Sequence, residues 1–454
     1  MTNTLYLPEL REMLAEGNAV ELHEFCVALH PARTAEFMEG LTAAEAWRVL
    51  QHTDPASQVE IFRYFELPRQ VEMFETVALE EMAKFISGLP ADERVDILSE
   101  VQPEIVQALL PLIPVDERRD IMRLAAYPEG TAGAMMTTRF ARLSESETAA
   151  QALDHVRRQA DLLETIYYLY VVDKDDHLRG LVSLRQLVLT EPESLVRDIM
   201  RRDAISVDVT ADQELVAQKF AKFDFLALPV VDSEHHLLGI VTHDDAIDVV
   251  VEEATEDAQR IGGVNPLSTG YIDTKLFELA WKRGVWLMIL FFGALLTAFA
   301  LKRYEHSIDE VAWLVLFLPL IISSGGNTGS QSATLIITAL STGDITLRDW
   351  WRVVKREIAT GLILGTFLGA IGYVVATTIG AMMGTGAPSP RHAVVIPITL
   401  VLVVICGTLS GSMLPLLFRR LGLDPAIMSN PFVSCICDIV GIVIYMQVAI
   451  FWLH

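Results

Sequence analysis

Three patterns of hydrophobic and polar positions follow one another along the 454 residues. Up to about residue 130, apolar side chains recur at intervals of three and four, as in Val95, Leu98 and Val101. Proline and acidic residues separate these runs, and the period predicts short amphipathic helices. Pro90-Ala-Asp-Glu-Arg-Val-Asp-Ile-Leu returns as Pro114-Val-Asp-Glu-Arg-Arg-Asp-Ile-Met, a spacing of 24 residues. That echo predicts stacked helices, a small α-solenoid. Asp92 and Asp116 then fall in first turns, where a carboxylate complements the helix dipole.

The second pattern is a repeat of strands. Tyr170-Val-Val-Asp-Lys-Asp-Asp-His-Leu-Arg-Gly-Leu-Val-Ser returns 59 residues later as Pro229-Val-Val-Asp-Ser-Glu-His-His-Leu-Leu-Gly-Ile-Val-Thr. Each copy reads as a β-branched strand, a polar turn and a second strand. Helical stretches flank them, at 149–158 and 215–222 before and 184–189 and 244–253 after. Two βαββα units of this kind predict a pseudo-twofold pair.

The third pattern is five long apolar runs: Gly284–Leu301, Val311–Gly343, Ile358–Pro390, His392–Phe418 and Pro425–Leu453. Each approaches or exceeds the ~20 residues of a membrane-spanning helix. Lys282 and Arg283 precede the first run. Arg348, Arg352, Lys355 and Arg356 lie between the second and third, and Arg419 and Arg420 between the fourth and fifth. The alternate loops hold only Lys302, Arg303 and Arg391. The positive-inside rule puts the N-terminal part in the cytoplasm and, with five spans, His454 outside. The start of the chain carries no basic-then-apolar signal peptide.

Charge separates the same regions. From Trp281 onward there are 8 acidic and 11 basic residues; the 51 acidic and 24 basic residues before it carry a formal −27. Such a surface disfavours nucleic acid and attracts cations. Cys26, Cys406, Cys435 and Cys437 make no disulfide framework, and Cys435 and Cys437 point to different sides of a helix. No P-loop, metal-hydrolase motif or nucleophile–base pairing indicates an enzyme.

Asp438 is the only charged residue of the last run. A carboxylate at mid-membrane costs roughly 2.5–3.5 kcal/mol on insertion scales, so something compensates it: a cation in a hydrated path, or protonation inside a bundle. Asn430, Ser434 and Asp438 recur every four residues and line one helix face, an oxygen stripe suited to a hydrated cation. Mg²⁺ keeps several waters and binds through one or two carboxylates, so one Asp per chain implies a second subunit. In the second run, Ser323-Ser-Gly-Gly-Asn-Thr-Gly-Ser-Gln-Ser332 offers small residues for close packing or a local break facing a cavity. Gly325, Gly326, Asn327, Gly329 and Gln331 are the residues of that motif. Between strands and spans, Asp244, Asp248, Glu252 and Glu256 line one face at like-charge spacing, each pair costing roughly 0.2–0.5 kcal/mol. Bound hard cations, or solvent, relieve that face. The helix then leads through Gly262-Gly263 and a second amphipathic stretch to the first span.

The strand repeat resembles a tandem cystathionine-β-synthase (CBS) module over about residues 135–257. Such modules hold an adenine nucleotide between copies, on a Gly-x-x-Ser/Thr-x-x-Asp pattern. Gly239-Ile-Val-Thr-His-Asp-Asp245 keeps the pattern, whereas Gly180-Leu-Val-Ser-Leu-Arg-Gln186 has Gln at the acidic position. The resemblance implies a nucleotide such as ATP near Arg185, Thr242 and Asp245.

The whole order of segments, with Gly325-Gly-Asn-Thr-Gly-Ser-Gln-Ser-Ala-Thr-Leu335 and Ser429-Asn-Pro431…Asp438, resembles the MgtE family of magnesium channels. Ser330 stands where that family usually has Asn. The resemblance implies a homodimer in the cell (inner) membrane, with Asp438, Asn430 and Ser434 along a pore. It also implies regulatory Mg²⁺ at Glu60, Asp92, Asp96, Asp212, Glu214, Asp224, Asp245, Asp248, Glu253, Glu256 and Asp257. The expected architecture is multidomain: an α-helical superhelical domain (1–130), an α/β CBS pair (131–243), an acidic plug helix (244–270) and an all-α membrane domain of five helices (271–454). The expected activity is Mg²⁺ uptake under negative feedback by cytosolic Mg²⁺. A carrier exchanging Mg²⁺ or Co²⁺ and a membrane-anchored nucleotide sensor are the rival readings.

Overall fold

The computed structural model describes residues 6–267, 270–272, 274–306, 311, 313–383 and 389–453. The chain divides into two compact units, Met1–Val250 and Val251–His454.

The first unit opens with short helices from Leu7–Glu16 to Val115–Leu124. Their starts follow from the sequence. Pro31, Pro55 and Pro103 occupy first-turn positions, where the missing N–H costs nothing. Thr42 and Glu45 form a capping box. One core of Leu, Met and Phe side chains, with Phe62, Met73 and Phe74 at its centre, runs through the stack. The 24-residue echo appears as the helices Ala91–Glu100 and Val115–Leu124, with Asp92 and Asp116 in first turns.

The strand repeats form two three-stranded sheets. β1 (Phe140–Ser144) pairs parallel with β2 (Thr165–Val172), which pairs antiparallel with β3 (Leu178–Ser183). β4 (Val207–Asp208), β5 (Ala227–Val231) and β6 (Leu237–Thr242) repeat that order. The helices Ala149–Gln159 and Gln213–Phe223 cross between parallel strands. Phe140, Tyr170 and Leu178 of the first copy share a core with Ala227, Leu237 and Ile240 of the second. The paired turns meet at His177 and His236, whose rings stack with centroids 4.3 Å apart.

A connecting helix, His243–Ile261, leaves the second copy. It ends at Gly262-Gly263, where Gly263 takes a φ of +73°. Of the amphipathic stretch expected between here and the first span, residues 264–267 and 270–272 are not helical, residues 268, 269 and 273 lie outside the described set, and residues 276–283 form the start of the helix Leu276–Arg303. The non-helical part is held by neighbours: Gln259 accepts from the Leu267 N–H and Lys282 donates to the Pro266 carbonyl.

The second unit contains five long helices: Leu276–Arg303, Leu314–Ser341, Trp350–Met383, Val395–Arg420 and Asn430–Leu453. Among the described residues, four segments are long and apolar enough to span a bilayer: Leu276–Arg303, Leu347–Thr378, His392–Arg420 and Asn430–Leu453. The second helix, Leu314–Ser341, is as long as the first but carries the polar run Ser323–Ser332. No break occurs there, contrary to the alternative raised by its glycines; the helix is continuous. The glycines serve close packing instead. A Cβ on Gly407 would lie 2.6 Å from the Gly325 carbonyl oxygen, and one on Gly411 would lie 2.0 Å from that of Gly329. Gly361, Gly365 and Gly369 of the third helix likewise meet the backbone of Ile405, Val401 and Pro397. The first helix buries no residue, and Phe291, Phe292 and Phe299 are exposed, as suits a lipid-facing surface.

Candidate ion pathway and acidic cluster

The fifth helix begins after Pro425–Ile427, where Asp424 caps a short 3₁₀ turn and Ser429 is fully buried. From there the four-residue spacing places Asn430, Ser434 and Asp438 along one face, and that face meets the polar run of the second helix. Asn430 exchanges side-chain hydrogen bonds with Thr334 at 3.1–3.2 Å. The Ser434 and Ser330 hydroxyls lie 2.9 Å apart, and Ser434 also donates to the Gly326 carbonyl at 3.3 Å. Asp438 is half-buried. A Cβ on Gly326 would lie 3.3 Å from Asp438 Oδ1, so glycine leaves room for the carboxylate. Asp438 has no hydrogen bond or ion pair among the described residues. The stripe thus consists of two satisfied polar side chains followed by a carboxylate with vacant acceptor capacity.

Gly325 and Gly329 pack inward, and Asn327 and Gln331 point the other way and are exposed; Asn327 donates to Ser323 one turn earlier. Ser330 supplies the contact to Ser434 despite being the position that departs from the family pattern.

The connecting helix ends beside this stripe. Ile261 packs with Ala333, Ile337, Val433 and Cys437, and a Cβ on Gly263 would lie 3.3 Å from the Pro431 ring. Asp257 accepts from Ser341 at 2.9 Å, and Arg260 joins Glu256 to Asp424. Burial raises the pKa of Asp257, against the Ser341 hydrogen bond that lowers it.

A second acidic site lies within the first unit. Asp92, in the first turn of Ala91–Glu100, is buried, and its Oδ1 finds no hydrogen-bond partner. Burial holds its carboxyl well above the usual range, and the negative charges of Asp245, Glu93 and Glu164 raise it further. Glu93 is pushed up to about 7 by burial, although Arg63 beside it pulls the other way. Asp245 is pushed up to about 6 by burial, opposed by its hydrogen bond from Thr242. Glu164 is raised by burial and drawn down by Arg63 and Arg139. Five carboxylates (Asp92, Glu93, Glu164, Asp244, Asp245) therefore face two arginines, Arg63 and Arg139. Buried charges left without opposite partners are costly, and hard oxygen donors in such surplus fit a divalent cation. The family resemblance implies metal at Asp92 and Asp245, and the acidic helix face includes Asp244; Glu93 and Glu164 carry no such expectation.

Other expected ligands sit apart or have local duties. Asp212 caps Gln213–Phe223 and Asp224 ends it in a left-handed conformation. Glu214 accepts from Gln218. Glu60, Asp96 and Asp248 are exposed, and Glu253 is partly buried on the connecting helix. At the nucleotide pattern, Thr242 bonds Asp245, whereas Gln186 is spent on capping Ser183 and Arg185 is exposed.

These features, long apolar helices beside a carboxylate that has no partner among the described residues, and a sheet-containing unit with surplus buried acid, define a membrane cation transporter with intracellular domains. The MgtE divalent cation transporter domain matches residues 318–448, the MgtE intracellular N domain residues 29–130, and CBS domains residues 132–190 and 196–252. The magnesium transporter MgtE of Thermus thermophilus is 37% identical over 97% of each chain, and that of Bacillus subtilis 30% identical over 97% of this chain and 96% of its own. Solved structures agree. The soluble part of a magnesium transporter superposes with a TM-score of 0.51 at 35% identity, over 54% of this chain and 97% of that one. The cytosolic domain of the Mg²⁺ channel MgtE in complex with ATP gives 0.50 at 34%, over 53% and 98%. The chain belongs to the MgtE family of magnesium transporters.

Proposed function

We propose that this protein is a Mg²⁺-selective channel for magnesium uptake that cytosolic Mg²⁺ closes by negative feedback. The observation that carries the reading is Asp438, a half-buried carboxylate without a protein partner, in line with Asn430 and Ser434. A hydrated Mg²⁺ satisfies such a group through its waters, at no cost of full dehydration. One carboxylate per chain is few ligands, so the pathway runs between two copies of a homodimer, each contributing its own stripe. The five long helices then all span the inner membrane, with the N-terminus cytoplasmic and the C-terminus outside.

The regulatory part uses the acid surplus. Bound Mg²⁺ supplies the positive charge that the Asp92–Asp245 cluster lacks. With that charge in place, Asp92, Glu93, Glu164 and Asp245 stay together and the connecting helix keeps its end against the Asn430 stripe. Without it, two like charges about 4 Å apart repel by about 4 kcal/mol at an effective dielectric of 20. Two such repulsions exceed the ~5.5 kcal/mol that carries a two-state gate from 1:99 to 99:1. The boundaries that fit this division are 1–130, 131–243, 244–270 and 271–454. ATP at the CBS pair is supported by the Thr242–Asp245 arrangement and by the ATP complex of the related cytosolic domain.

Mg²⁺ flux into liposomes holding the purified protein tests the pore, with folded Asp438→Ala beside it. The expected result is flux in the wild type and its loss in the variant; equal flux in both moves the pathway away from Asp438.

A further inference from the structure

Outside the stripe, one carboxylate in the membrane unit is also buried. Glu357, in the third helix, is 9% exposed, and its Oε2 accepts from the Ser332 hydroxyl at 2.7 Å. Its own backbone is fixed: Thr408 of the fourth helix donates to the Glu357 carbonyl at 3.2 Å, and Gly361 one turn on packs against Ile405 and Thr408. The basic residues beside it turn away. Arg352 pairs with Asp349, Lys355 lies over the Trp351 ring, and Arg356 is exposed. Among the described residues no Lys or Arg pairs with Glu357.

What Glu357 holds is the second helix. Ser324 and Thr328 of that helix bond back only to their own turn, to the Leu320 and Ser324 carbonyls, and Thr334 bonds both the Ser330 carbonyl and Asn430. Ser330 also reaches the fifth helix, at Ser434 and the Asn430 carbonyl, and Ser332 reaches the third, at Glu357. Two residues apart on a helix of 3.6 residues per turn, they point about 200° apart. The helix is therefore tethered from two sides, and its rotation is fixed.

We propose that Glu357 is a positioning residue for ion selection: through Ser332 it sets the rotation of Leu314–Ser341 at which Ser330 and Thr334 hold Ser434 and Asn430 in the pathway. The inference rests on the pore reading above. The tether needs an acceptor oxygen at this place, which the Glu357 side chain supplies to the Ser332 hydroxyl.

The test is flux of Mg²⁺ and of Ca²⁺ into liposomes with the full-length protein and four variants: Glu357→Ala, Glu357→Gln, Ser332→Ala and the double alanine variant. Glu357→Ala is expected to lower Mg²⁺ flux about tenfold and to lower the Mg²⁺:Ca²⁺ ratio, which loss of folded protein alone does not move. Ser332→Ala is expected to do the same, the double variant to be no worse than Glu357→Ala, and Glu357→Gln, whose amide oxygen still accepts, to remain within about threefold of wild type. An unchanged ratio in Ser332→Ala, or additive losses in the double variant, overturns the proposal. Asp438→Ala is the control: its retained flux sinks the pore reading, whereas its loss beside unaffected Glu357 and Ser332 variants sinks this inference alone.

Discussion

Single carboxylates carry most of the chemistry, and their surroundings decide what each does. Asp92 and Asp116 hold equivalent places in an echoed sequence, yet Asp116 is exposed and Asp92 is buried against Asp245, Glu93 and Glu164. A carboxyl whose pKa is raised by folding stabilises the folded state below its unfolded pKa and loses that contribution as pH rises through the folded value. Glu93 at about 7 and Asp245 at about 6 set the window, from about pH 4 to about pH 7. In Mg²⁺-free buffer the full-length protein in detergent is thus expected to melt at progressively lower temperature between those values. Asp92→Asn removes a buried charge that lacks a partner and is expected to raise that melting point at pH 7.5, by about 1–3 kcal/mol in stability. A lower melting point in the variant contradicts the burial argument. The sequence marks Asp92 as a first-turn acid but says nothing of its burial, because Glu164 and Arg139 arrive from the strand repeat. Glu357 escapes for a similar reason: after Arg352, Lys355 and Arg356 it reads as one more solvated charge.

At the scale of elements, periodicity makes the helices and strands legible and leaves their partners hidden. The strand repeat predicts β2–β3 and β5–β6, because a 59-residue echo with strand alternation has few other meanings. The glycines of the second long helix are visible as a packing motif. Their partners Gly407 and Gly411 are not, since a lone glycine in an apolar run only weakens a helix until another backbone is set against it. Gly411→Ala is expected to be severe: its Cβ falls 2.0 Å from the Gly329 carbonyl, so two backbones must separate. Overpacking of this kind costs typically 1–3 kcal/mol. Gly284→Ala, with nothing within 4 Å of the added Cβ, is the matched control and is expected to melt like wild type. Thermal melting of both in detergent checks the pair. The connecting helix carries a second prediction at this scale. Arg260 bridges Glu256 and Asp424 while about a third exposed, so its removal costs roughly 0.2–1 kcal/mol. That is up to about fivefold in a closed-to-open balance, read as residual Mg²⁺ flux at inhibiting internal Mg²⁺ in Arg260→Ala liposomes.

Over the whole molecule, charge and hydropathy separate: one unit is acidic, and the other, with four clear spans and one polar-centred helix among the described residues, is apolar around a carboxylate. The proposed feedback has a consequence for pH. Metal binds deprotonated carboxylates, so every ligand that holds a proton beforehand must release it, and apparent affinity follows pH. Glu93 at about 7 and Asp245 at about 6 hold protons in the range where a cell's pH varies, whereas ordinary surface acids do not. Under the proposed feedback, Mg²⁺ is therefore expected to inhibit flux more potently as internal pH rises from 6 to 8, with the half-inhibiting concentration falling by about tenfold as one proton is displaced. Flux measured in liposomes against internal Mg²⁺ at three pH values gives that curve. In Asp92→Asn with Glu93→Gln the slope should flatten while the wild-type pore, judged by flux at low Mg²⁺, is retained. A pH-independent curve in the wild type means that inhibition is set outside the buried cluster, by exposed acids such as Asp248 and Glu252 on the connecting helix. The buried cluster would then be a structural charge network, and the feedback would reside along the connecting helix alone.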